Sequence, residues 1–566
     1  MHKGISGGEL VARQFKRENV DTIFTLIGNQ VSPMLVYMAK YAIKVIHTRH
    51  EKGAVHMADG WAQATRRAGV AMVSGGPGFT NAITGIVKAY YAKTPLLLIT
   101  GAIVPQTKDT GVLSDMEQIA MIKPYTKWAC TVNDAARIPE YIARGLQMAN
   151  TGRKGPVVLE IPISILKQTV AENLPVINYA LSLTDVSLAP AEKVDEFIQA
   201  VSQAKKPLII AGDEVYYDYA EKELIEFVNL TQIPVYTVNK ARGCIPDLHP
   251  LCMGSGRILE AGPQFYAYQN TDLVITIGLE NDYQMGSLKP PYFREDQKFI
   301  SINKEAYEIV NGNFRPELSL IGSVNKVLGQ LCTRLKEIPL KNNYVGWITD
   351  LRVNQNNYWE KLHTESGCNS TSPIHPLKCI EIIKKLIKED AIIVLDGSNA
   401  MFWGALCFEC NYPGQLIIGP DGVLGPMGTG VSLAIGAKAA NPDREVVLYT
   451  GDGSFGFNAI EMDSAVRFNL PILVFIHNDE AWGFCKTTQE ILYEKTEAAD
   501  LGMVRYDKMV EGLGGFGEIV IEINSLEESI IKAQKSNLPA CVNIIVDKKA
   551  DSPGAKSFND TLKLQK

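Results

Sequence analysis

The chain has 566 residues, 46% of them hydrophobic, with a net charge of −6 and a pI near 5.9. That is enough material for three or four domains with large apolar cores. The composition, with no Lys/Arg-rich run, excludes a nucleic-acid-binding chain of the basic type. The N-terminal "MHKGISGGELVARQFK" has no apolar signal core, and no stretch reaches the length of a membrane span, so no membrane role is expected. The ten cysteines are scattered, and Cys407 and Cys410 form the one C-x-x-C. A single such pair reads as two cysteines on a helix before it reads as zinc, and a reducing cytoplasm fits.

In the first third, "TIFTLIG", "IKVIHTRHE", "GVAMVSGG" and "PLLLITG" read as strands. Between them, "GAVHMADGWAQAT" and "NAITGIVKAYYA" have helical spacing, and "GPVVLEIP" closes the section near Pro162. The proline-dotted "TVAENLPVINYALSLTDVSLAPAE" reads as a linker. The middle third restarts with "KPLIIAGDEV" and continues through "PVYTVN", "TDLVITIGL" and "KFISIN". A polar connection with a helix in it follows. The last third has the strands "AIIVLDG", "EVVLYTGDG", "PILVFIHND" and "ACVNIIVD". Alternation of this kind implies an α/β fold of three doubly wound parallel-sheet domains. The boundaries are expected at 1–170, 190–335 and 375–550, with a C-terminal tail from 551 to 566.

The strand "EVVLY" runs into Gly-Asp-Gly, so Asp452 sits at its carboxyl end, where open α/β sheets bind ligands. The next strand, "PILVFIH", delivers Asn478 and Asp479 to the same sheet edge. Gly-Asp-Gly alone reads as a tight turn, and Asn-Asp as an Asx turn. Their spacing favours something else. Two carboxylates converging at strand ends suit a hard cation such as Mg²⁺, which shares its oxygen ligands with phosphate. A second glycine motif, "GLGGFG" at 512–517, has the G-x-G-x-x-G spacing. It follows a helical stretch and precedes a strand, the reverse of a dinucleotide fingerprint, so no NAD site is expected there.

"GDGSFGFNAIEMDSAVRFNLPILVFIHNDEAWG" resembles the thiamine-diphosphate signature, Gly-Asp-Gly followed some thirty residues later by an Asn-rich turn. "HTRHEKGAVHMADGWAQAT" is similar to the segment carrying that family's cofactor glutamate, here Glu51, and "SGGPGFTNAITG" to its Gly-Pro-Gly-x-Thr-Asn turn, with Pro77 and Asn81. The likeness spans nearly the whole chain, in the order pyrimidine-binding, middle and diphosphate-binding domain. On these motifs the chain is identified as a member of the thiamine-diphosphate-dependent enzymes, in the acetolactate synthase-like group.

The resemblance implies thiamine diphosphate and Mg²⁺, with Asp452, Asp479 and the backbone oxygen of Ala481 as metal ligands. Gly453, Ser454, Trp482 and Gly483 flank them. Many relatives have Asn where this chain has Asp479. Glu51 would bond the aminopyrimidine and favour the imino tautomer whose nitrogen takes the thiazolium C2 proton. It is expected at the end of the strand "IKVIHTRHE", in apolar surroundings. "GVLGPMGTG" matches the segment that folds the two rings together, with Met427 as the wedge and the Gly425 carbonyl as acceptor. "LDGSNA" matches the loop that touches the diphosphate, with Gly397, Ser398 and Asn399. The family's cofactor lies between domains of two chains, so a homodimer at least, and a homotetramer by expectation, is implied.

The expected reaction is that of a lyase or carboligase acting on 2-keto or 2-hydroxyacyl substrates, acyl-CoA among them, through a C2 ylide and an enamine/carbanion. The N-terminal segments resemble benzaldehyde lyase, but its pocket His corresponds to Gln30 in "LIGNQV" and its pocket Gln to Ser114. "RYDKMVEGLGGFGEIV" is similar to 2-hydroxyacyl-CoA lyase and oxalyl-CoA decarboxylase. The alternative is an acetolactate synthase-type transferase with FAD, or another nucleotide or CoA, in the middle domain. A non-catalytic cofactor-binding relative is a third reading, which the presence of Glu51 opposes. Asn29, Gln30, Ser114 and Phe484 would line the substrate end, with Gln30 donating to a developing alkoxide.

Overall fold

The structure, a computed structural model, describes residues 4–172, 187–310, 315–366 and 371–564. Three six-stranded sheets form, and every pairing in them is parallel. The first has the order Lys44–His47, Thr22–Thr25, Gly69–Val73, Leu96–Ala102, Pro156–Pro162, Trp128–Thr131. The second has the order Cys252–Ser255, Val235–Thr237, Pro207–Ala211, Leu273–Ile277, Lys298–Asn303, Leu318–Ile321. The third has the order Leu416–Ile418, Ile392–Asp396, Val446–Gly451, Leu473–Asn478, Ala540–Ile545, Phe516–Val520. Central strands such as Leu96–Ala102 and Ile392–Asp396 are buried along their whole length. Helices cover their faces, which is why they read as unbroken apolar runs.

The chain divides into two compact units, one of residues 1–184, 419–443 and 457–472, the other of residues 185–418, 444–456 and 473–566. In the first, the helix Glu51–Thr65 is buried from Gly53 to Gln63. It lies against the helix Gly430–Ala440 at a distance only glycine permits. A Cβ at Gly60 would come within 2.2 Å of the Leu433 carbonyl oxygen, and one at Gly436 within 1.9 Å of that of Met57. On the other side, Lys88 Nζ meets Asp59 Oδ2 at 2.6 Å with both side chains fully buried, and Gln63 donates to Asp59 Oδ1 at 2.8 Å.

In the second unit the helix Val345–Glu365 lies on the middle sheet's domain, with Trp347 Nε1 donating to the Pro207 carbonyl at 3.0 Å. The middle and last sheets' domains are joined by a buried polar knot. Arg242 pairs with Asp247 at 2.6 Å and donates to the Phe408 carbonyl at 3.1 Å, while Cys410 N–H donates to Asp247 at 2.8 Å.

Several expectations are corrected. The strand "IKVIHTRHE" ends at His47, and Glu51 is the first residue of the next helix, capped by His50, whose Nδ1 accepts from Lys52 N–H at 3.1 Å. The charged run "TRHE" is therefore turn and helix start, the position where acids complement a helix dipole. The expected linker opens as a strand, Thr169–Ala171, antiparallel to Gly4–Ser6. Its residues 173–186 lie outside the described residues. The stretch after Gly-Asp-Gly is a single helical turn, Asp452–Gly456, followed by a 3-10 turn, Ala459–Glu461, and a short helix, Met462–Arg467. Cys407 ends its helix and Cys410 lies beyond it. Burial pushes both thiols up to about 12, and they are free. The residues beyond 551 carry the helix Pro553–Leu564.

Candidate functional site

The strands Val446–Gly451 and Leu473–Asn478 are parallel neighbours with Gly451 opposite His477. Asp452 and Asp479, one and two positions further on, therefore emerge at one sheet edge. They are 3% and 7% exposed. Among the described residues neither carboxylate has a Lys, Arg or His ion-pair partner. Burial raises both carboxyls above the usual range, and for Asp452 the facing charge of Asp479 adds to it.

The Asp479 loop is held by its own hydrogen bonds. Asn478 Oδ1 accepts from Glu480 N–H at 3.0 Å and Asn478 Nδ2 donates to Asn543 at 2.9 Å. Glu480 sits at φ +57°, and Asp479 Oδ1 accepts from Ala481 N–H at 3.3 Å. A Cβ at Gly483 would come within 2.0 Å of Asp479 Oδ2, and one at Gly453 within 2.4 Å of the Trp482 ring. These two glycines let the loop close over the acidic pair. No group of three or more His, Cys, Asp or Glu side chains converges among the described residues. Two carboxylates and a nearby backbone carbonyl are an oxygen-only donor set. That fits a hard divalent cation completing its shell with phosphate and water, and it does not fit a thiophilic metal.

Gly397 lies close behind this edge at φ +91°, where a Cβ would sit 3.2 Å from Gly451 N and 3.3 Å from Ser454 Oγ. Ser398 precedes the helix Asn399–Cys407. The Asn399 side chain is committed elsewhere, accepting from Ser552 N–H at 2.7 Å and donating to the Ala550 carbonyl at 3.4 Å. It anchors the C-terminal segment. Phe484 packs between Phe402 and Phe558, with ring centroids 6.1 and 5.3 Å away, so the contacts it makes are core packing.

In the first unit, Glu51 Oε2 accepts from Asn81 Nδ2 at 3.0 Å. Gly76, at φ +66°, turns the chain into Pro77, the first residue of the helix Pro77–Tyr91 that carries Asn81. Within a single chain Glu51 is partly exposed, where apolar enclosure is expected from the sequence. Asn29 is exposed, while Gln30 and Ser114 each reach the Gly75–Gly76 turn before this helix. Gln30 Oε1 accepts from Gly75 N–H at 2.6 Å and from Ser74 Oγ at 3.3 Å, which leaves its Nε2 as the donating end. Ser114, at φ +70°, lies so near that a Cβ at Gly76 would be 2.4 Å from its hydroxyl. Met427 is half-buried in a loop bent by positive φ at Gly425 and Gly428.

Two residues that sequence reasoning passes over organise this region. Gln118, buried, accepts from Gly76 N–H at 2.9 Å and donates to the Gly101 carbonyl at 3.0 Å and to Glu160 at 2.6 Å. Glu461 accepts the backbone N–H groups of Arg49 at 3.1 Å and His50 at 3.0 Å, and the Ser464 hydroxyl at 2.6 Å. It therefore fixes the turn that leads into Glu51. Burial pushes its carboxyl up, against these hydrogen bonds. Its only trace in the sequence is an acid inside the Gly-Asp-Gly segment. Next to it, Asp463 is held down to about 2 by its hydrogen bonds to Arg49 and Arg467.

Among the described residues, lysines and acids pair off at the carboxyl end of the middle sheet. At its switch point, Gly212 N–H donates to the Ile277 carbonyl at 2.8 Å and Glu214 N–H to that of Gly278 at 3.1 Å, closing the crevice. Lys240 is paired with Asp213 at 3.2 Å and Lys304 with Asp218 at 3.2 Å, all four nearly buried. Asp218 also takes the N–H of Val324, the first residue of the helix Val324–Glu337, at 2.9 Å. Both lysines at this edge already have an acid as partner, which weighs against an FAD diphosphate docking on them.

Three families match along the chain: the N-terminal TPP binding domain of thiamine pyrophosphate enzymes over residues 5–121, their central domain over 194–331 and their C-terminal TPP binding domain over 396–544. The chain is 28% identical to 2-hydroxyacyl-CoA lyase 2 of Caenorhabditis elegans, over 96% of this chain and 90% of that one. It is 28% identical to a probable acetolactate synthase of Mycobacterium bovis, over 95% of each. It is 26% identical to 2-hydroxyacyl-CoA lyase 2 of Homo sapiens, over 95% of this chain and 90% of that one. No helix among the described residues is long and apolar enough to cross a membrane.

Proposed function

Since the chain belongs to the thiamine-diphosphate-dependent enzymes of the acetolactate synthase-like group, we propose that it is a Mg²⁺-dependent carbon–carbon lyase and carboligase acting on 2-keto or 2-hydroxyacyl compounds, 2-hydroxyacyl-CoA thioesters among them. The observation that carries this reading is the Asp452–Asp479 pair, buried at one sheet edge without a basic partner. When bound, thiamine diphosphate supplies a thiazolium that adds to a carbonyl and accepts the electron pair of the breaking bond.

The chain's own residues do the rest. Asp452, Asp479 and the Ala481 carbonyl would hold Mg²⁺ against the diphosphate, with Gly397, Ser398, Gly453 and Ser454 lining the approach. Glu51 would hold a proton at the aminopyrimidine nitrogen. Asn81, donating to Glu51 at 3.0 Å, fixes the direction of that carboxylate. Gln30, its oxygen already satisfied, presents an N–H to the oxygen of a reacting carbonyl. Met427 and the Gly425 carbonyl would shape the cofactor's bend.

Cleavage is favoured over the flavin-carrying synthase pattern because the middle sheet's edge is closed by Asp213, Glu214 and Asp218. We infer a homotetramer in the cytoplasm. Side chains such as Ile27, Val36 and Leu113, which are 66%, 71% and 89% exposed in one chain, support the association. The free thiols of the described cysteines support a reducing compartment.

The test is a product assay on the purified protein with thiamine diphosphate and Mg²⁺. One arm takes a 2-hydroxyacyl-CoA, the other pyruvate, and both are read by mass spectrometry. Cleavage of the 2-hydroxyacyl-CoA is the expected result. Acetolactate from pyruvate, with no cleavage, would establish the transferase instead.

A further inference from the structure

We propose that Asp452 and Asp479 capture a divalent cation on their own, before any diphosphate is bound. The proposal rests on the reading of this edge as the metal site and adds an order of assembly to it.

Both side chains are more than nine-tenths buried, and no Lys, Arg or His pairs with either among the described residues. The protein satisfies them with neutral donors only, such as Ala481 N–H on Asp479. Several other buried acids have a basic partner: Asp59 has Lys88, Asp213 has Lys240 and Asp218 has Lys304. Asp452 and Asp479 instead face one another. A diphosphate is no remedy, since it would bring more negative charge to the same place. A metal cation lowers the electrostatic cost of the pair, taking the place of a proton shared between the two carboxyls.

The geometry is already built. The Asp479 loop is fixed by the Asn478–Asn543 and Asn478–Glu480 hydrogen bonds and by Val546 N–H donating to the Asn478 carbonyl at 3.0 Å. A Cβ at Gly483 would strike Asp479 Oδ2, and one at Gly453 would strike Trp482, so the loop and the turn are seated against each other. A cation then pays no ordering cost to assemble its two anionic ligands. With a single carboxylate, a hard cation gains most of its affinity from the phosphate oxygens. With two, the protein alone neutralises its charge.

The experiment uses the full-length protein stripped of metal with a chelator and of cofactor by gel filtration. Mn²⁺ is titrated in, and free Mn²⁺ is read by electron paramagnetic resonance without thiamine diphosphate. One saturable site per chain is expected, displaced by Mg²⁺. Asp479→Asn is expected to weaken that site roughly tenfold or more, with most of the affinity restored once thiamine diphosphate is added. Far-UV circular dichroism checks that the variant is folded, and the wild-type titration stands without it. If wild-type protein takes up Mn²⁺ only together with thiamine diphosphate, capture ahead of the cofactor is wrong. The same holds if Asp479→Asn binds Mn²⁺ as the wild type does. If Mn²⁺ binds alone and thiamine diphosphate never does, capture stands and the cofactor reading of the site falls.

Discussion

The Glu461 carboxylate accepts the backbone N–H of Arg49 at 3.1 Å, across 412 positions of sequence. The same carboxylate takes His50 N–H, so one buried acid holds the two residues that precede Glu51. A Cβ at Gly53 would lie 2.5 Å from its Oε1, which shows how closely the helix start is seated on it. Replacing it by the neutral Glu461→Gln keeps the shape and weakens the acceptor. The expected effect is a roughly tenfold lower kcat, about 1.4 kcal/mol in the barrier, with cofactor affinity little changed. Steady-state kinetics at saturating thiamine diphosphate checks it.

The buried Lys88–Asp59 pair sets the stability of the first unit. Lys88→Met leaves Asp59 as a buried charge without a counter-ion. The expected loss is about 3–5 kcal/mol. Adding Asp59→Leu to Lys88→Met is expected to recover most of it, since two apolar side chains replace two charges. Urea denaturation midpoints of the three proteins decide this.

Asp463 gives the fold a dependence on acid. Its hydrogen bonds to Arg49 and Arg467 hold the carboxyl down to about 2, below the value near 4 of an unfolded chain. A depressed carboxyl contributes stability that is complete above about pH 4 and is lost as the pH falls toward about 2. Asp463→Asn is therefore expected to flatten this part of the stability curve. Urea midpoints of both proteins at pH 5 and near pH 3 measure the difference.

Much of this was readable in advance. The β-branched runs "VVLY" and "ILVFI" are buried on both faces, and their spacing brings Asp452 and Asp479 to one edge. The start of the Glu51 helix is hidden in the sequence because "IKVIH" runs straight into "TRHE", and His50 does not look like a cap. Glu461 and Gln118 were invisible because their partners lie far away in sequence, 412 and 42 positions for the first bonds of each. An acid or an amide on a short helix carries no mark of that. Asn399 kept its motif but gives its side chain to Ala550 and Ser552, a tertiary contact no local pattern encodes. The middle domain's "AGDEV" reads simply as a strand end. Only the fold shows Asp213 committed to Lys240, and Asp218, three residues beyond the segment, to Lys304.

That closed edge has its own test. Protein purified without added flavin is expected to show no flavin band in the visible spectrum, and the supernatant after denaturation no stoichiometric adenine nucleotide. FAD added back is expected to leave the protein's fluorescence unchanged, while thiamine diphosphate with Mg²⁺ quenches it. A bound flavin at one per chain would show that Asp213, Glu214 and Asp218 move aside.

The most direct measurement is the exchange of the C2 proton of bound thiamine diphosphate in deuterated water, followed by rapid quench and proton NMR. Wild-type protein with Mg²⁺ is expected to exchange it far faster than the free cofactor. Glu51→Gln is expected to slow the exchange about 100- to 10,000-fold while still binding the cofactor. Exchange that is as fast in Glu51→Gln as in the wild type would contradict the role of this carboxylate, and with it the reading of the chain's chemistry.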